Sequence, residues 1–173
     1  MMLVGCAKKD AAPATAAATT LPAAAPAPAA PAKSATPVAA AAAPSAKTEA
    51  RVVEITGNDQ MQFSLKTIEA KAGEEIKVVM TNIGTLPKEA MGHNWVLLQA
   101  GTDVNAFATA AMTAKATDYI PPAMKDKVVA FIPVLGPKQK GEVSFKIPAA
   151  GDYTYICSFP GHFMIMKGTL TAK

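Results

Sequence analysis

The sequence predicts an all-β sandwich with a short helical insertion, preceded by a disordered tail rich in alanine and proline. All six Phe, all three Tyr and the only Trp lie at 51–173, so only this segment can build a core. Short apolar segments recur along it, separated by Gly and Pro, as in an antiparallel sandwich. By contrast, residues 7–50 contain 22 alanines, seven prolines and no aromatic residue.

The amino terminus carries a short motif that is typical of the end of a lipoprotein signal peptide. The pattern Leu3-Val4-Gly5-Cys6 resembles a bacterial lipobox, in which the chain is cleaved before the cysteine and the sulfur receives lipid. We therefore expect 1–6 to be the remnant of a truncated lipoprotein signal, with Cys6 as the lipidated residue. Only five residues precede Cys6, whereas a signal peptide has about 7–15 apolar residues there. A start codon assigned too late and a chance match on a soluble tail are both open.

Residues 7–50 are expected to form a disordered tether. Prolines recur from Pro13 to Pro44 and interrupt the helical turns that alanine favours. Apart from Leu21 and Val38, no large apolar side chain is available for burial, so an extended, polyproline-like spacer is predicted. At about 3.1 Å per residue it reaches on the order of 130 Å at most.

Eight apolar segments of the domain are typical of strands. In chain order they lie at 51–56, 63–68, 75–83, 94–99, 127–134, 141–147, 152–157 and 168–173. The third of them places Ile76, Val78 and Met80 on one face, as a half-buried strand does. The alanine-rich stretch 103–115 differs, because it opens with Asp103 and predicts a helix inserted between strands.

The charge balance argues against a nucleic-acid partner. The net charge is +4, and from residue 51 onward 13 Lys and Arg stand against 11 Asp and Glu. No dense basic stripe occurs, and aromatic residues do not alternate with Lys or Arg.

The most informative stretch runs from Cys157 through His162 to Met166, with the spacing Cys-x4-His-x3-Met. A second histidine, His93, lies upstream, and the chain has no other histidine. The only other cysteine is Cys6, and a disulfide to it is not expected because it would tie the tail to the core. Each cysteine therefore needs an explanation of its own.

Two imidazoles, one thiolate and a weak axial thioether form the donor set of an electron-transfer copper site. Such a site tolerates both copper oxidation states in one geometry, so little rearranges when an electron moves. Taken singly, a buried Cys is usually inert, and a lone Met usually fills a core. Zinc could occupy the same ligands. The joint pattern favours copper.

These residues resemble the azurins, a family of bacterial cupredoxins. The resemblance covers essentially all of 51–173 and is strongest at 86–88, 91–97 and 157–170. The loop spacing matches azurin better than plastocyanin, amicyanin or pseudoazurin, whose Cys–His gaps are shorter. Auracyanin and rusticyanin have a longer His–Met gap. The resemblance implies an eight-stranded Greek-key β-sandwich with a helical flap.

The resemblance also implies one copper ion, with His93, Cys157 and His162 as equatorial ligands. Met166 would be a distant axial ligand, and the Gly92 backbone carbonyl would lie opposite it. Around these, the resemblance implies supporting roles for Asn94, Ser158 and Phe159. Asn94 would hydrogen-bond across to the loop, and the amides of Asn94 and Phe159 would point at the thiolate.

By the same resemblance, the His162 ring edge is the electron port, and an apolar patch surrounds it. With Phe159, its residues would be Leu86, Ala90, Met91, Pro160, Gly161 and Met164. The implied partners are redox proteins such as c-type cytochromes or periplasmic oxidoreductases. The carrier itself is expected to be a monomer. The lipobox and tether resemble those of lipid-modified azurins, which implies the periplasm or an outer-membrane anchor in a Gram-negative bacterium.

Three departures from the azurin pattern are visible. No domain cysteine is available for the disulfide that azurins usually carry. The segment Asn82-Ile83-Gly84 stands where many azurins have a titrating histidine just before a Pro-Gly turn, so that pH response should be absent. Phe163 and Met164 are expected to make the port bulkier than usual.

Copper sites of this kind occur in three classes of protein. A one-electron carrier needs only the one site. A copper enzyme needs further histidines, and the chain has none. A copper-storage or copper-delivery protein is the alternative, but such proteins use open Met-rich or His-rich sites, and the other methionines here are scattered.

Overall fold

The computed structural model describes residues 50–173, so the expectations for 1–6, for Cys6 and for the tether up to residue 49 lie outside the described residues. The strands, in order, are β1 (Arg51–Gly57), β2 (Thr67–Ala70), β3 (Glu75–Asn82), β4 (His93–Leu98), β5 (Val128–Leu135), β6 (Lys140–Lys146), β7 (Gly151–Ile156) and β8 (Lys167–Ala172). The helices are α1 (Lys88–Met91) and α2 (Val104–Ala111), with 3₁₀ segments at Lys115–Thr117 and Pro122–Lys127. Within this described range, no helix is long and apolar enough to cross a membrane.

The eight strands form two sheets, which confirms the predicted sandwich. One sheet has the order β1-β3-β6, and the other has the order β2-β8-β7-β4-β5. The pairing is not wholly antiparallel, because β1 runs parallel to β3 and β2 runs parallel to β8. Between β1 and β3 the chain crosses to the second sheet and forms β2. It then crosses back to the first sheet, where β3 runs in the same direction as β1.

The core between the sheets is built from alternate strand residues. On β3, Ile76, Val78 and Met80 are all fully buried, as the sequence pattern predicted. Trp95 of β4 lies beside Tyr155 and Phe145, with ring centroids 5.7 Å and 5.9 Å away. Burying large side chains of this kind stabilises the fold by about 1.5–3 kcal/mol each.

The helical insertion covers the outer face of β4. All six residues of β4 are buried, because α2 contributes Phe107 to a second apolar cluster. The other members of that cluster are Val96, Leu98, Ile120 and Ile156. Helix α2 begins as predicted at Asp103, whose carboxylate accepts hydrogen bonds from the backbone N–H groups of Asn105 and Ala106 at 2.9 Å and 3.1 Å.

Two predicted boundaries were wrong. The strand expected at 63–68 starts only at Thr67, and before it Phe63 forms a single isolated bridge with Gly57. The helix expected over 103–115 ends at Ala111, because the chain makes a turn there before a 3₁₀ segment begins at Lys115. Cys157 is buried and free, and it is the only cysteine among the described residues.

Candidate metal centre

Three side chains from distant parts of the sequence meet at one end of the sandwich. The ligand atoms of His93, Cys157 and His162 all lie within 4.8 Å of one another, and all three residues are buried. The Cys157 Sγ atom is 3.9 Å from Nδ1 of His93 and 3.6 Å from Nδ1 of His162. Both imidazoles therefore turn the same nitrogen towards the sulfur.

Two sheet strands and one tight loop produce this convergence. His93 is the first residue of β4, and Cys157 directly follows β7. The loop returns because His162 N–H donates to the Phe159 carbonyl at 3.1 Å, across a turn in which Gly161 has φ +83°. That positive φ at the third turn position is the reason for a glycine after Pro160.

A second set of hydrogen bonds fixes the carboxyl end of the loop. Met166 N–H donates to the His162 carbonyl at 2.8 Å, and Cys157 N–H donates to the Met166 carbonyl at 2.9 Å. The first and last residues of the loop are thus joined directly. His162 and Met166 cannot drift apart without breaking these bonds.

Asn94 ties the loop to the neighbouring strand and to the helical flap. Its Nδ2 donates to Ser158 Oγ and to the Asp118 carbonyl, each at 2.8 Å, and its Oδ1 accepts from Ser158 N–H at 2.7 Å. Ser158 Oγ in turn donates to the Tyr119 carbonyl at 2.8 Å. Because Asn94 and Ser158 are buried, these bonds are shielded from competition by water.

Burial controls the protonation of the three donors. It raises the pKa of the Cys157 thiol to about 12, an effect that the backbone N–H groups of Asn94 and Phe159 oppose. Burial, and then the nearby His93, lowers the pKa of His162 to about 4. Burial also lowers the pKa of His93, against the opposite influence of the Asn58 carbonyl and Asp59.

These donors fit a copper ion. At neutral pH both imidazoles are uncharged and keep a free lone pair, and the buried thiol becomes a thiolate only when a cation compensates its charge. Two nitrogens and one thiolate form the trigonal donor set that copper takes in electron-transfer sites. Among residues 50–173, no acceptor lies in hydrogen-bond geometry at His93 Nε2, although the Asn58 carbonyl raises the pKa of this ring.

The two remaining predicted ligands lie beside this triad. Met166 is fully buried, and its methyl carbon lies near Gly57 together with the Cδ2 atom of His93. Gly92 is buried directly before His93. A Cβ at Gly92 would come within 2.5 Å of both the Lys88 carbonyl and the Val134 side chain, so this close approach requires glycine.

The residues expected around His162 are mostly accessible. His162 itself is only 3% exposed, and the Phe159 ring lies 4.7 Å from it, centroid to centroid. Leu86 and Met164 are 43% and 63% exposed, respectively. Ala90 and Gly161 are also exposed, Met91 and Pro160 are half-buried, and Phe159 is buried.

Near the patch around His162, the structure shows further residues that the sequence did not point to. Ile83 and Ile165 are 47% and 52% exposed on the loops that carry Leu86 and Met164. The carboxylate of Asp59 accepts hydrogen bonds from Thr85 and so fixes the loop before Leu86. Phe163 is half-buried: it packs against the second apolar cluster and also lines a depression together with Met164.

Comparison with known proteins agrees with this geometry. Residues 50–173 match the family described as copper binding proteins, plastocyanin/azurin family. The chain is 42% identical to azurin of Pseudomonas denitrificans over 125 residues, 70% of this chain and 97% of that protein. It is 40% identical to azurin of Pseudomonas aeruginosa over 126 residues, 70% of this chain and 84% of that protein.

Solved structures give the same result. An azurin (Az-iso2) from Methylomonas sp. strain J superposes with a TM-score of 0.64 at 36% identity, covering 71% of this chain and 98% of that one. Auracyanin B superposes with the same TM-score at 33% identity, covering 75% and 93%. The match of the whole described domain, the sandwich and the His-Cys-His arrangement lead to one conclusion: the chain belongs to the plastocyanin/azurin family and is a copper-dependent one-electron carrier, not an enzyme.

Proposed function

We propose that His93, Cys157 and His162 bind the copper ion as equatorial ligands, with Met166 and the Gly92 carbonyl as weak axial ones. The observation that carries this assignment is the convergence of three buried donor atoms within 4.8 Å. When bound, copper supplies a centre that accepts and releases one electron. The protein's contribution is to hold the donors in one arrangement for both oxidation states.

Asn94, Ser158 and Phe159 would support this arrangement. The hydrogen bonds between Asn94 and Ser158 restrain the Cys157 side of the loop against β4. Backbone N–H groups at Asn94 and Phe159 draw charge from the sulfur, since both lower the pKa of Cys157. A restrained, partly neutralised thiolate needs little reorganisation when the electron arrives or leaves.

The carrier function is tested by copper titration. Adding Cu(II) to the copper-free protein should give an intense blue colour that saturates at one equivalent. The colour should vanish and return through repeated one-electron reduction and oxidation. A colourless protein that exchanges Cu(I) readily would instead indicate storage or delivery, although burial of all three donors opposes rapid exchange.

Electrons would pass through the His162 edge to a docked redox protein. Leu86, Ala90, Met91, Pro160, Gly161 and Met164, with Phe159 beneath them, would form the apolar docking patch. Exposed apolar side chains allow brief contact without strong ionic attachment. Redox proteins such as c-type cytochromes or periplasmic oxidoreductases are the partners we propose, met by a monomeric carrier.

Charged side chains border this patch. Lys88, Glu89 and Lys115 line a cavity of about 220 Å³ whose wall includes Phe159, the neighbour of His162. Lys167 lines a depression together with Met164. Asp118 also lines this cavity, so two lysines and two carboxylates lie there and the patch is bordered by charges of both signs.

We also propose that the protein is a lipoprotein of the periplasmic space. Residues 1–6 would hold the end of a signal peptide and its lipobox, Cys6 would carry lipid after cleavage before it, and 7–50 would act as the tether to the outer membrane. The lipobox-like pattern at Leu3–Cys6 supports this. Mass spectrometry of the mature amino terminus from native membranes should find a lipid mass on Cys6, and an unmodified or uncleaved terminus would contradict the proposal.

A further inference from the structure

Gly57, the last residue of β1, faces the metal centre from the opposite sheet. A Cβ built on Gly57 would lie 2.8 Å from the Met166 methyl carbon and 3.0 Å from the Met80 methyl carbon. It would also lie 3.4 Å from Cδ2 of His93. Two thioether side chains and one imidazole therefore share the space that any larger residue at 57 would need.

Met80 brings the second thioether from β3. It is fully buried in the same core cluster as Met166 and Cys157. Register places Met80 opposite Ile55 on β1, two residues before Gly57. The side chains of Met166 and Met80 both end beside Gly57. The methyl group of Met166 therefore lies between Met80 and the Gly57 backbone, which carries no side chain.

The loop hydrogen bonds leave the tip of Met166 unrestrained. They hold its backbone through the His162 and Cys157 bonds, but a methionine side chain has three rotatable bonds beyond the backbone. The position of its sulfur must therefore be set by packing against neighbouring residues. Gly57 and Met80 are the neighbours at the methyl end of the side chain.

We propose that Gly57 and Met80 are positioning residues that set how closely the Met166 thioether approaches the metal centre. Gly57 provides the gap that the Met166 methyl occupies, and Met80 closes that gap from the side. This inference rests on the proposed axial role of Met166. The strength of axial thioether donation tunes the reduction potential of such centres, so both residues would act on the potential without touching the metal.

The test uses the copper-loaded protein and two readouts, the reduction potential and the intensity ratio of the two thiolate-to-copper absorption bands. Met166→Leu calibrates both readouts, because it removes the axial donor. Met80→Leu preserves volume closely and should fold, and it should shift both readouts in the same direction by a smaller amount. Met124→Leu is the matched control, since Met124 packs against the second cluster away from the centre, and it should leave both unchanged.

Gly57→Ala tests the gap itself. The atoms that an added methyl meets first are the ends of flexible methionine side chains, so the variant should fold with Met166 displaced and the band ratio altered. In the double variant Gly57→Ala/Met80→Ala, the space vacated by Met80 should restore part of the original ratio, a non-additive outcome.

The two proposals fail in different ways. If Met166→Leu changes neither potential nor band ratio, the axial role of Met166 is wrong. If Met166→Leu changes both while folded Met80→Leu and Gly57→Ala match the wild type, the positioning inference is overturned. Strict additivity in the double variant would also overturn it.

Discussion

Asn82 ends β3 and is 1% exposed. Its Nδ2 donates to the Leu135 carbonyl at 3.1 Å, and its Oδ1 accepts from Gly84 N–H at 2.9 Å. Leu135 is the β5 partner of His93, so Asn82 joins β3 to the strand that flanks the metal centre. An amide does not titrate, so this link is the same at every pH.

The reduction potential should therefore not change between about pH 5 and pH 8. Histidine is the side chain that ordinarily titrates in this range, and both histidines of the chain, His93 and His162, are proposed ligands. Asn82→His should introduce a slope. A protonated imidazole there disfavours the more positive Cu(II) state, so the potential should rise as the pH falls through the new group's pKa. Voltammetry across this range checks both proteins. Asn82→Gln is the non-titrating control, and a slope in it would contradict this explanation.

At the scale of elements, sequence patterns predicted the strands well where alternation was strong, as in β3. They did not predict that β1 and β3 pair in parallel, because local sequence says nothing about which sheet β2 joins. The proposed ligands could be selected from the sequence because Cys157, His162 and Met166 share one loop. Gly57 and Met80 could not, because their contacts with Met166 depend on how the two sheets face each other.

The capping of α2 offers a test of the flap. Asp103→Ala removes two hydrogen bonds to backbone N–H groups and should lower the free energy of unfolding by about 1 kcal/mol. Denaturant unfolding measures this. The blue absorption should not change, because α2 covers the outer face of β4 while the metal centre lies at the strand's end. Asn105→Ala, an exposed site on the same helix, should cost less, and an equal loss would show that capping is not the cause.

At the scale of the whole molecule, the charges near the port contrast with those elsewhere. Arg51, Lys77 and Lys173 are paired with carboxylates on other parts of the surface. Asp59, in contrast, directs its carboxylate to backbone N–H groups beside the patch, which lower its pKa. Lys88 and Lys115 are both exposed where they line the cavity beside Phe159. The lowered pKa keeps the Asp59 carboxylate ionised, and Glu89 and Asp118 line the same cavity as the two lysines, so an oxidant that approaches His162 should sense charges of both signs.

Small redox probes of opposite charge can measure this surface. Lys88→Gln or Lys115→Gln should slow oxidation of the reduced protein by hexacyanoferrate(III) roughly two-fold at low salt, and Glu89→Gln should accelerate it. With the cation tris(phenanthroline)cobalt(III), the order should reverse. Stopped-flow rates at two ionic strengths provide the test. Lys146→Gln, at the far end of β6, is the control, and an equal effect there would show that the port is not where the probes react.

The assignment of Cys157 as the copper thiolate is tested most directly by the visible spectrum of the Cu(II) protein and two single variants. The intense blue band arises from charge transfer between the thiolate and Cu(II), so Cys157→Ser should abolish it. Ser158→Ala, which loses the hydroxyl bonds to Asn94 and Tyr119 but keeps every proposed ligand, should remain blue with at most a shifted band. A blue Cys157→Ser protein would contradict the metal centre described for this chain.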